Sequence, residues 1–130
     1  MSYERIYQGK VQVENNINKI IKTKDDEAVY IFCENDVLAG LKKYISMGKM
    51  LTDDVAMTCI ISHSYNCLHY LSDNNYISNR AALIEKACEK ANITAIDILY
   101  TTGCDVSVKN LGEKYNHAHV VYWAEKRNYK

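Results

Sequence analysis

Five cysteines, four histidines and sixteen Asp and Glu residues are the side chains of this 130-residue chain that can bind a metal, attack a substrate or move a proton. Cys33, Cys59, Cys67, Cys88 and Cys104 are odd in number and include no CxxC pair, so they do not spell a complete disulfide framework. A redox role would need exposed thiols of low pKa. Cys59, His63, Cys67 and His69 form one conceivable ligand group, and His117 with His119 another. Only Cys59 and His63, at i and i+4, share a helix face, and no zinc-finger spacing can be built, so no metal site is expected. GxSxG, P-loop, GxGxxG and HExxH patterns are all missing. Asp25, Asp26, Glu27, Asp53 and Asp54 stand before apolar runs, where carboxylates serve helix N-termini. The expectation is a protein without enzymatic activity or cofactor.

Composition narrows the remaining classes. Apolar residues make up 48% and charged residues 25%, which is globular rather than disordered. Sixteen Lys and Arg balance the sixteen acids to a net charge of +0, which removes the footprint of a general nucleic-acid binder. No apolar run is long enough to span a membrane, and Met1 to Ile6 lacks the sections of a signal peptide, so a cytoplasmic domain is expected. Eleven Tyr stand against one Phe and one Trp. With no Pro at all, helices must be ended by Gly, Asn and Asp.

The elements that position these residues recur. Phe32–Gly48, Thr58–Asn74 and Ala87–Gly103 align without gaps, and their closing residues lie 26 and 29 apart. Each reads as two short helices and a tight turn, with Asp36, Ser64 and Asn92 as N-caps of the second helix. Asp53 or Asp54, and Ser78 or Asn79, are candidate caps of first helices. Ala82, Leu83, Ala87 and Ala91 make one apolar stripe, and Ile96, Leu99 and Tyr100 another; stacked pairs would share one core. In this alignment Cys33, Cys59 and Cys88 occupy one position, a small buried residue between touching helices. Tyr44, Tyr70 and nearly Tyr100 share another, as an inter-repeat ladder. Val11 to Lys22 reads as an N-terminal capping helix, and His119 to Lys126 as a C-terminal one anchored by Trp123.

Ala87-Cys88, Ala95-Ile96, Ile98-Leu99 and Gly103-Cys104-Asp105-Val106 resemble the ankyrin repeat, with its paired small residues, Leu run and closing Gly-Ala-Asp. His63 stands in the family's His slot, Asn110 where Asn or Asp is common, and Asn116 to Trp123 looks like a truncated further copy. The likeness covers roughly residues 25 to 125. The opening Thr-Pro-Leu-His is absent and the repeats are shorter than the usual ~33 residues, as in degenerate repeats of large DNA virus proteins. The resemblance implies an all-α, ankyrin-like solenoid of about three repeats, roughly 25–52, 53–80 and 81–109, between caps at 1–24 and 110–130.

It further implies a rigid scaffold that binds another protein, a host innate-immune component if the source is viral. The partner-facing residues would be Glu34, Asn35, Ile61, Ser62, Glu89 and Lys90 at inner-helix ends, with Lys49, Tyr76, Asn79 and Arg80 in loops. An alternative is a homo-oligomer whose seam uses Val120 and Trp123.

Overall fold

The computed structural model describes residues 9–101 and 104–129, and these are all-helical, with no strand among them. Two short helices, α1 (Lys10–Glu14) and α2 (Ile17–Lys24), are followed by a 3₁₀ turn (Asp25–Glu27). Four helix hairpins come next: α3 (Ala28–Glu34) with α4 (Leu38–Ser46), α5 (Asp53–Ile61) with α6 (Tyr65–Asp73), α7 (Arg80–Glu89) with α8 (Ile93–Leu99), and α9 (Val108–Lys114) with α10 (Ala118–Lys126). Helices this short are unstable alone and are held by packing. First helices pack in order, α3 on α5, α5 on α7, α7 on α9; second helices pack α4 on α6 and α6 on α8.

All four hairpins reverse through one backbone device. Asp36, His63, Ala91 and Asn116 take left-handed φ values of 54°, 57°, 55° and 60°. The amide of each following residue returns to the carbonyl of Phe32, Cys59, Ala87 or Gly112, at 2.8, 2.9, 2.8 and 2.8 Å. This is the 6→1 bond of a Schellman turn, which occupies a helix carbonyl otherwise left without a partner. The same conformation ends α4 at Gly48, α6 at Asn75 and α10 at Asn128.

These turns fix which residues are equivalent, and they correct the sequence alignment by one residue in the second hairpin. Cys59 is equivalent to Phe32 and Ala87; the residue matching Cys33 and Cys88 is Ile60. All of these are nonetheless in the core, as are Val29, Val55, Leu83, Leu68, Ile96 and Leu99. Gly40 lets α4 close on α3, because a Cβ there would fall on the Phe32 ring. The Tyr ladder does not form: Tyr44 is core, whereas Tyr70 and Tyr100 fall at neighbouring positions and are only half-buried.

Two caps differ from expectation. Val37, not Asp36, is the N-cap of α4. Asp36 instead accepts from the Cys67 amide (3.0 Å) and the Asn66 side chain (2.9 Å), so it caps the next hairpin's second helix. Thr52 precedes α5, and Asp53 accepts from the Ser78 and Asn79 amides at 2.9 and 2.7 Å. Asn79 caps α7 through the Ala82 amide. The N-terminal helix is split at Asn15-Asn16, with Val13, Ile20 and Ile21 as its buried contacts. In α10 the anchors are Val120 and Ala124, while Trp123 remains 38% exposed. Gly103, the third expected helix end, lies outside the described residues.

Asn92 is the most heavily bonded of these polar residues. Its Oδ1 accepts from the Ala95 amide (3.0 Å) and the Tyr65 hydroxyl (2.9 Å), and its Nδ2 donates to the Ile60 carbonyl (3.1 Å). It therefore caps α8 and ties the third hairpin to the turn of the second. Asn92→Ala removes the cap and leaves the Ile60 carbonyl with only the long turn bond from the His63 amide (3.4 Å). The expected loss is about 2–4 kcal/mol by urea unfolding with an unchanged denaturant slope. Asn92→Asp, which keeps the acceptor, should lose less. Equal losses would show that the Oδ1 cap contributes nothing, and unchanged stability in Asn92→Asp that the bond to Ile60 contributes nothing.

Candidate functional site

The first helices share one pattern. Residues 28, 29, 32 and 33 of α3, 55, 56, 59 and 60 of α5, and 83, 84, 87 and 88 of α7 are buried. Their complement, at i, i+3, i+4 and i+7, is exposed or half-buried: Glu27, Tyr30, Ile31 and Glu34; Asp54, Met57, Thr58 and Ile61; Ala82, Glu85, Lys86 and Glu89. Because α3, α5 and α7 lie side by side, the three stripes form one continuous face. Ile61, at 54% exposure, is its most open apolar residue.

The charges on this face are unevenly compensated. Glu85 is bound by the Tyr115 hydroxyl (2.8 Å) and Lys114 (3.1 Å), which hold its carboxyl below the usual range. Lys86 pairs with Glu89 at 3.4 Å. Glu27, Glu34 and Asp54, by contrast, form no ion pair among the described residues. Lys49 spends its charge on Asp25 and Asp26, at 2.9 and 3.3 Å.

The turn spacing places Glu34, Ile61 and Glu89 at equivalent positions on this face, with Asn35, Ser62 and Lys90 one residue further on. The loop residues make contacts within the molecule, and Tyr76 and Asn79 remain exposed. Arg80 donates to the Ser72 hydroxyl (2.8 Å) and the Leu99 carbonyl (3.0 Å), Tyr76 stacks on Tyr70, and Asn79 is the α7 cap. Val120 is fully buried, while Trp123 is covered on one side by the Arg127 guanidinium, 4.3 Å from the ring. Sequence reasoning missed Tyr30, Ile31, Met57, Thr58, Glu85 and Lys86. The signal was present, as the polar and mixed complement of each buried quartet, but it appears only in the correct register.

The thiols lie elsewhere. Cys33, Cys59 and Cys67 meet in the core between α3, α5 and α6, their thiols close to one another and fully buried. Contacts within the trio, acting in both directions, together with burial hold all three thiols well above their ordinary range. Burial, with a smaller effect from Glu85, pushes Cys88 up to about 12. Among the described residues no group of three His, Cys, Asp or Glu is arranged to hold a metal. His63 Nδ1 lies 2.8 Å from the Tyr65 hydroxyl, and His69 is exposed on α6. His117 Nε2 meets the Glu89 carbonyl at 2.9 Å.

No helix among the described residues is long and apolar enough to cross a membrane. No family model, no curated protein and no solved structure matches the chain.

Two measurements check this chemistry. Cys104 is the one cysteine of the five not fully buried, and iodoacetamide should modify it alone in the native protein and all five in denaturant. Native labelling of Cys59 at the rate of Cys104 would contradict the packing. The Tyr129 hydroxyl donates to Asp97 at 2.8 Å, and burial followed by that bond raises its pKa to about 12 from the usual 10. A raised folded-state pKa contributes stability below the unfolded value that is lost as pH rises through the folded one. Unfolding free energy should therefore fall between pH 10 and about 12, and fall less in Tyr129→Phe.

Proposed function

We propose that this protein is a non-enzymatic protein-recognition scaffold in which ankyrin-like helix hairpins stack into a short solenoid. Its partner docks on the row of first helices, α3, α5 and α7. The observation that carries the reading is the exposed or half-buried i, i+3, i+4, i+7 stripe repeated on three adjacent helices. A rigid face of this kind needs little ordering on contact, which lowers the entropic cost of binding. The resemblance to repeats of viral proteins extends the proposal to a host protein as partner.

The reading rests on a surface rather than a cavity. Glu34, Ile61 and Glu89 recur along the row, and Ile61 supplies an uncovered apolar contact of the kind that anchors interfaces. The homo-oligomer reading has less support, because Val120 is spent inside the α9–α10 hairpin and a Lys109–Glu125 ion pair, at 3.3 Å, bridges those two helices on their surface.

Photo-crosslinking residues placed at Ile61 and Glu89 should trap the same protein from a lysate of the source cells. The same group at Lys43 or His69, on the second helices, should not. Capture should drop about tenfold in Ile61→Arg, an exposed substitution that leaves the fold intact. Crosslinks from the second-helix positions alone would overturn the assignment.

A further inference from the structure

The recognition face has a chemical polarity that specifies its partner. Its α3–α5 half carries Tyr30, Ile31 and Met57, half-buried against the core, and the exposed Ile61, framed by three carboxylates, Glu27, Glu34 and Asp54, that form no ion pair among the described residues. No lysine or arginine of α3 or α5 stands among them, since neither helix contains one. On α7 the acids are already matched, Glu85 by Lys114 and Glu89 by Lys86. The chain as a whole is neutral, so the imbalance is local. It acts over about one Debye length, ~8–10 Å at physiological salt, which is about the spacing of adjacent packed helices.

We propose that α3 and α5 bind a cationic amphipathic segment of another protein, one whose apolar side chains cover Ile31, Met57 and Ile61 while flanking Lys or Arg meet Glu27, Glu34 and Asp54. This rests on the first-helix row being the partner-facing surface. Met57 suits such an occupant, because an unbranched thioether adapts its shape to the side chain it meets. The carboxylates do the selecting. An acidic or nucleic-acid surface is repelled, and a purely apolar one leaves charge uncompensated at its rim.

The test is a titration of the isotopically labelled full chain with a synthetic Leu/Lys amphipathic peptide, alongside Leu/Glu and Leu/Gln counterparts of identical pattern. The Leu/Lys peptide should give saturable amide shifts centred on residues 27–34 and 54–61. Its affinity should fall about tenfold in Glu34→Lys/Asp54→Lys and fall similarly on raising salt to ~0.5 M. Both positions are exposed, so the double variant keeps its helical circular dichroism. The Leu/Glu peptide should bind only the double variant. Shifts scattered over other carboxylates, or an affinity indifferent to the double reversal, overturn the proposal.

Equal binding of the Leu/Gln peptide at the same residues would refute the cationic partner while leaving the recognition face in place. Self-association of the free chain that Glu34→Lys/Asp54→Lys abolishes would instead assign the face to a second copy. Loss of the Ile61 and Glu89 crosslinks to a partner, with peptide binding retained, would refute the broader scaffold reading instead.

Discussion

The left-handed residue between the two helices of each hairpin is the constraint on which the structure depends. The turn lets two short helices fold back within three residues, and its 6→1 hydrogen bond fixes the second helix relative to the first. Glycine would adopt this conformation without penalty, yet the chain uses Asp36, His63, Ala91 and Asn116, each at a cost of order 1 kcal/mol. Asp, Asn and His tolerate the region better than most residues, whereas Ala91 has only packing to hold it there. The cost is met four times because every hairpin then presents the same face inward and the same face outward.

Side chains exploit that repetition by reaching across to the neighbouring hairpin. Asp36 reaches forward to the start of α6, Asn92 back to the Ile60 carbonyl, and His117 back to the Glu89 carbonyl. These bonds satisfy backbone groups that water would otherwise have to reach, so the hairpins are joined by directional contacts as well as by apolar burial. Ser64 occupies the same N-cap position as Asn92 and His117, but its buried hydroxyl has no hydrogen-bond partner among the described residues.

The all-helical architecture was legible in the sequence because apolar residues recur at helical spacing and because two-helix segments repeat. What misled was the second segment. With Cys59 matched to Cys33 by residue type, every position in that hairpin shifted by one, and the tyrosines fell into an apparent ladder. Residue identity carried the alignment, whereas the chain obeys the geometry of the turn, which lies at His63 and not at Ser62. The same displacement hid Met57 and Thr58, because on a helix one residue is a rotation of about 100°. Glu34, Ile61 and Glu89, the ends of the proposed face, could be named from the sequence because they adjoin the turn, where the register error is easiest to absorb. Cross-hairpin capping by Asp36 and Asp53 was not legible, since their partners lie in the next repeat.

The tie that Asn92 makes to Ile60 bears on how the molecule breathes. Because capping of α8, the Tyr65 hydroxyl and a carbonyl of α5 all meet on one side chain, the hairpins α5–α6 and α7–α8 should open together. The short helices α1 and α2 are clasped to the first hairpin by an exposed bond from the Gly9 amide to the Asn35 side chain (3.1 Å) and should fray first. Hydrogen exchange should then run inward from that end, reaching α3 before α5 along the proposed recognition face.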